Sequence, residues 1–228
     1  MKYKPFVLSC ALALLSTVSW AGTITVNSGG GTAYNAAALA GFATTGAMMS
    51  GMEVTACLLD GSCSTGIWAT TGATSGAAAT SDWSLSLTGD SFSATWALSN
   101  LTDIELVSLS INARPGRTVF DIINGPDASP GSANGWPVSY VPSSNAFPNA
   151  TAQYSDPLSI AGTFYGDMYL RLALDFGDGF LGNVGLRMDT DNVSVGSVIE
   201  EVPEPGTYAL MGVGLLALAG LRARRKRA

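Results

Sequence analysis

The chain offers carboxylates and hydroxyls for chemistry, and no imidazole. Its 228 residues include 17 Asp and Glu, 11 Lys and Arg, and no His. Without His there is no Ser-His-Asp or Cys-His nucleophilic pair, no His-ligated zinc and no ordinary proton shuttle near neutrality. No G-x-S-x-G elbow, P-loop or dinucleotide fingerprint occurs. Asp175-Phe176-Gly177 matches a kinase tripeptide whose companion motifs are missing. Carboxylates alone support two chemistries. A pair ~5–9 Å apart can hydrolyse a glycoside. A cluster can hold Ca2+, which takes hard oxygen ligands. The densest acids are Asp175 and Asp178 in "LDFGDGF" and Asp189 and Asp191 in "RMDTDNV". Asp-x-Asp-Asn makes Asp189 and Asp191 candidate calcium ligands, although EF-hand spacing is absent. The plainer reading is that Asp and Gly build turns at strand ends. No other cofactor is indicated, and no catalytic residue is assigned.

Aromatic residues in polar surroundings are the second candidates. Residues 124–150, "NGPDASPGSANGWPVSYVPSSNAFPNA", hold five prolines and read as a long surface loop. Trp136, Tyr140 and Phe147 lie in it, with Tyr154 just beyond. If exposed, Trp136 and Tyr140 would stack on sugar rings, as in carbohydrate-binding modules. If the loop folds back, Trp136 covers a sheet edge instead. Cysteine supplies the third candidate. Cys57 and Cys63 flank "LLDGS". A three-residue Leu59-Asp60-Gly61 loop would set them opposite each other and permit a disulfide. A two-residue Asp60-Gly61 turn would put Leu58 opposite Cys63. The alternative to a disulfide is two free thiols serving as small apolar residues.

Both chain ends are membrane-directed. Lys2 and Lys4 precede an apolar run from Phe6 to Val18, and Ser19-Trp20-Ala21 offers small-x-small cleavage. A signal peptide over residues 1–21 is expected, cut after Ala21 by signal peptidase following passage through the Sec translocon. Cys10 as a lipoprotein acceptor is the competitor, but it precedes most of the apolar run that such a cysteine would end. At the other end, Pro203-Glu204-Pro205 is followed by an apolar stretch from Gly206 to Leu221. Arg222, Arg224, Arg225, Lys226 and Arg227 then close the chain before Ala228. About 15 apolar residues make roughly 23 Å of helix, short of the ~30 Å hydrocarbon core. Such a helix crosses a thinned bilayer and anchors poorly, and its basic end stays in the cytoplasm. An ordinary C-terminal anchor and a buried apolar helix are the alternatives.

The order of tripeptide, short apolar helix and basic cluster over residues 202–228 resembles the PEP-CTERM sorting signal of Gram-negative bacteria. The resemblance implies recognition of Pro203, Glu204 and Pro205 by exosortase, a membrane-embedded cysteine enzyme that cleaves near them. It also implies export, transient residence in the inner membrane, then the cell surface or extracellular space. Exopolysaccharide, biofilm or floc matrix would be the setting. It implies nothing specific about the body of the chain.

These candidates need a frame to position them. Between the two ends, residues 22–202 carry four arginines, no lysine and sixteen acids, a net charge of −12. Such a surface repels nucleic acid and anionic lipid. The length suits one domain, taken as residues 22–201. "WSLSLTGDSFSATWALSN" alternates apolar and hydroxyl residues on both sides of Gly89-Asp90, which predicts a hairpin with one apolar face. Met168, Leu170, Leu172, Leu174 and Phe176 alternate likewise in "MYLRLALDF". "MEVTACL", "STGIWAT", "VSLSIN", "TVFDII" and "NVSVGSVI" also read as strands, and Trp68, Trp83 and Trp96 fall on apolar positions. Residues 32–51 are compatible with a short helix or a loop. One-sided alternation predicts antiparallel sheets that must cover each other's apolar faces. The expected class is all-β: an antiparallel β-sandwich, jelly-roll-like rather than a closed barrel, between an N-terminal signal helix and a single C-terminal transmembrane helix.

Overall fold

The computed structural model describes residues 25–27, 39–40, 44–123, 135–141, 149–160 and 163–193. The expected signal peptide and the sorting tail lie outside them. The strands in chain order are β1 (Thr25–Asn27), β2 (Leu39–Ala40), β3 (Glu53–Leu58), β4 (Cys63–Ile67) and β5 (Ala69–Thr70). β6 (Ser75–Ala79), β7 (Trp83–Thr88), β8 (Trp96–Asn100), β9 (Leu106–Asn112) and β10 (Thr118–Asp121) follow. β11 (Ser139–Tyr140), β12 (Thr151–Ile160), β13 (Thr163–Phe180), β14 (Asn183–Arg187) and β15 (Asp189–Val193) complete the set.

The strands form two sheets. The smaller has the order β11-β14-β8-β7-β6-β5. The larger is organised around β13, which pairs with β10 and then β9 along one edge and with β12 along the other. β3 and β4 extend it beyond β9, β15 and β2 extend it beyond β10, and β1 joins β12 as a parallel strand. Four consecutive strands, β5 to β8, lie side by side in the smaller sheet. A jelly roll instead combines two Greek keys. Short turns such as Gly72–Thr74 and Ser81–Asp82 keep successive strands adjacent, so the connectivity departs from the jelly-roll expectation.

The two inner faces meet in one core. Trp83, Leu85, Leu87, Trp96 and Leu98 of the smaller sheet pack with Val54, Leu109, Ile111, Leu172 and Leu174 of the larger. The hydroxyl-bearing neighbours Ser84 and Ser86 point the other way, as the alternation requires. Each buried indole donates one hydrogen bond: Trp68 to the Gly46 carbonyl at 2.7 Å, Trp83 to Ser64 Oγ at 2.9 Å and Trp96 to the Met188 carbonyl at 3.0 Å. That satisfies the only polar atom of each large apolar side chain.

Several elements differ from the sequence reading. The β7–β8 connection spans Gly89–Thr95 and is not a tight Gly89-Asp90 turn. Asp90 accepts backbone bonds from Phe92 and Ala94, while Ser91 N donates to Thr44 O, so the segment is drawn out of the hairpin. "STGIWAT" breaks at Trp68, where Trp68 N donates to Met52 O and the chain steps from one sheet to the other. Residues 46–49 form one 3-10 turn. β6, "SGAAA", and β12, "TAQYSDPLSI", lack the β-branched run that marks a strand. β12 also carries a bulge at Pro157, where proline has no N–H for the ladder.

Candidate functional site

The acids of "RMDTDNV" are strand residues, not turn residues. Asp189 and Asp191 lie on one face of β15, and Asp189 stands directly across from Asp121 of β10. All three are buried, at 5, 2 and 0 % exposure. Asp189 Oδ1 accepts from Ser91 Oγ at 2.9 Å and from Thr190 N at 2.8 Å. Burial pushes the Asp189 carboxyl up to about 8, with the charge of Asp191 and then Asp121 adding to it against the Ser91 hydrogen bond. Burial and the two neighbouring carboxylates therefore favour the protonated form of Asp189. It lies sealed between β10 and the Ser91 loop, which suits a structural clasp better than proton delivery to a substrate.

The other acidic pair is not brought here. Asp175 and Asp178 sit in β13, where Gly177 and Gly179 adopt positive φ and Gly177 N bonds Asp175 Oδ1. They make a bulge inside a strand rather than the expected strand-end turn. Asp175 is seven residues along β13 from Met168, which shares a rung with Asp121 and Asp189. That is roughly 23 Å at ~3.3 Å per residue, too far for a glycosidase pair. Among the described residues, no group of three or more Asp, Glu or Cys is placed to hold a metal ion. The donors already on Asp189 Oδ1 leave that oxygen poorly disposed to a cation.

Trp136 and Tyr140 do not share a platform. Gly135 N donates to Ile123 O, Trp136 N to Asp121 O and Asp189 N to Trp136 O, so the segment folds back onto the ends of β10 and β15. Trp136 is half-buried. Its ring packs on Phe92 at 5.6 Å between centroids, and the Arg187 guanidinium lies 4.4 Å from its centroid. Tyr140 pairs with Leu186 in the smaller sheet and is only 7 % exposed. Tyr154 is in the core, its hydroxyl accepting from Val138 N at 2.9 Å. Phe147 lies outside the described residues. Sequence reasoning missed Asp121, Ser91, Phe92 and Arg187 as neighbours. Asp121 and Arg187 stand at strand ends and Ser91 and Phe92 in the β7–β8 connection, and nothing in the sequence pattern ties these places together.

Cys57 faces Cys63 in the β3–β4 ladder, with Cα atoms 4.1 Å apart and the sulfurs joined. Leu58 N donates to Ser62 O across a three-residue Leu59–Gly61 loop, and Asp60 Oδ1 accepts from the hydroxyl and N–H of Ser62. Those two bonds hold the Asp60 carboxyl below the usual range, the hydroxyl contributing more.

Residues 201–226 match the PEP-CTERM protein-sorting motif. The chain carries an exosortase sorting signal. The match takes in Pro203, Glu204 and Pro205, the apolar stretch and the basic cluster as far as Lys226, beginning one residue before the boundary expected from sequence. It marks an exported protein processed by exosortase at its C-terminal end. No curated protein and no solved structure matches the chain.

Proposed function

We propose that this is an exported structural protein of the cell surface or extracellular matrix, with the β-sandwich as its working part and no catalysis of its own. The observation that carries the reading is the sorting motif at 201–226. Signal peptidase removes residues 1–21. The tail then holds the protein in the inner membrane, its arginines in the cytoplasm, until exosortase cuts near Pro203-Glu204-Pro205. The acidic, lysine-free body is released to a matrix rich in exopolysaccharide or is attached to an envelope partner.

Intact-mass analysis of the native protein from cell surface and medium tests this. The expected mass lacks residues 1–21 and the Arg-rich end. Extracellular protein that retains Arg227, or protein found dissolved in the cytosol, removes the reading. A carbohydrate-binding role is the second reading. It rests on Trp136, whose half-buried ring is held beside Arg187 at one end of the sandwich. Retention on exopolysaccharide that survives Trp136→Ala removes it.

A further inference from the structure

One end of the sandwich gathers large apolar side chains at the surface. Leu59, Leu101 and Leu181 are 59, 57 and 54 % exposed, and Ile104 is 36 % exposed. They come from the β3–β4 tip, the β8–β9 connection and the β13–β14 turn. These three loops are bonded to one another. Leu59 N donates to Glu105 O, and Asn100 N to Gly182 O. The Asn100 amide reaches both Ile104 O and Phe180 O at 2.8 Å. Single exposed leucines are ordinary, whereas an exposed apolar patch rimmed by polar groups marks an interaction site. The disulfide and the Asp60–Ser62 bonds fix the tip that presents Leu59.

Among the described residues, the charge around this patch has one sign. Asp60, Asp103 and Asp178 are exposed there, and Asp82 and Glu105 are half-buried. All four arginines of the body lie elsewhere. β9 begins beside the patch at Leu106 and ends at Asn112, roughly 20 Å away at ~3.3 Å per residue. Arg114 and Arg117 follow that far end, and Arg171 pairs with Asn112. β14 runs the same way, from Asn183 beside the patch to Arg187. With a Debye length of ~8 Å at physiological salt, these cations do not neutralise the patch.

We infer that this end is a docking surface for a basic polypeptide segment. Its apolar side chains sit among Leu59, Leu101, Ile104 and Leu181, and its Lys or Arg side chains meet the surrounding acids. Anionic lipid and nucleic acid are repelled. A second copy placed end to end would bring acid against acid. A neutral glycan leaves the leucines unused.

Fluorescence anisotropy with the full chain tests the contact. The probe is a labelled helical peptide with leucines on one face and arginines on the other. Binding is expected, weakening about tenfold or more from low to high salt as the charges are screened. The same peptide with Glu for Arg is expected not to bind. Leu59→Ser with Leu101→Ser, and separately Asp103→Asn with Glu105→Gln, are each expected to weaken binding about tenfold or more. Melting temperatures should stay nearly unchanged, since Leu59, Leu101 and Asp103 are exposed and Glu105→Gln keeps the shape of a half-buried side chain. The inference is overturned by no binding at low salt, by equal binding of the two peptides, or by binding that neither double variant weakens. Self-association abolished by Leu59→Ser with Leu101→Ser, or preference for phosphatidylglycerol vesicles or a glucosamine polymer over the peptide, overturns it equally.

Discussion

Burial makes the protonation of Asp189 a matter of stability for this fold. In the unfolded chain it titrates as an ordinary carboxyl, and in the folded chain near 8. Its contribution to stability is full below the unfolded value and is lost as pH rises through the folded one. Stability is therefore expected to fall between about pH 4 and pH 8 by on the order of a few kcal/mol from this group. Asp189→Asn keeps an acceptor for Ser91 and Thr190 but has no charge to bury. It should match wild type near pH 4, melt higher at pH 8 and flatten the pH profile. A wild-type profile that rises steadily to pH 8 would contradict this. Thermal melts in Ca2+ and in EDTA should coincide, and a clear rise with Ca2+ would restore a cation to these carboxylates. A second residue-scale test is Gly76. A methyl there meets both Trp68 Nε1 and the Gly46 carbonyl, the partners of a core hydrogen bond. Gly76→Ala should cost about 1–3 kcal/mol in urea unfolding, and an unchanged midpoint would show that the indole can move aside.

At the scale of elements, the β3–β4 hairpin carries the sharpest expectation. Unreduced protein should present no reactive thiol from Cys57 or Cys63. Cys63→Ser should cost ~2 kcal/mol, the value for so small a ring. Two labelled thiols in the native protein would rule the bond out. The hairpin was legible in sequence because its loop length and its cysteines constrain each other. So were β3, β7, β9 and β13, where alternation of large apolar residues is strong. β6 was not, because Ala and Gly carry little periodic signal, and its burial comes from the bulk of Trp68 and Trp83 around it. The start of β8 was misplaced for the opposite reason. Phe92, Ala94 and Trp96 alternate well, but Ser91 bonds Thr44, Thr190 and Asp189, and Asp90 accepts from Phe92 and Ala94 within the loop. The acidic site suffered likewise. Asp189 and Asp191 were visible as a pair, while Asp121 lies some 70 residues earlier and meets them only through the β10–β15 register.

At the scale of the whole molecule, charge and address are separable. Removing the basic cluster by Arg222, Arg224, Arg225, Lys226 and Arg227→Ala should leave the melting temperature of the sandwich unchanged. It should alter where the protein accumulates, read by fractionating membrane, surface and medium. Unaltered distribution would mean that the tail's cations have no part in sorting.

The placement of β13 has a consequence in time. The chain emerges with its N-terminal end first, so β3, β4 and β9 can pair early, and the oxidised hairpin is a local event. β10 and β9 nevertheless have no common neighbour until β13 appears, more than a hundred residues after β3. Such distant partnerships make assembly slow and leave strand edges bare while it waits. A nascent form halted before Thr163 should be sticky and protease-sensitive, and an escort that shields its edges would be needed most during that interval.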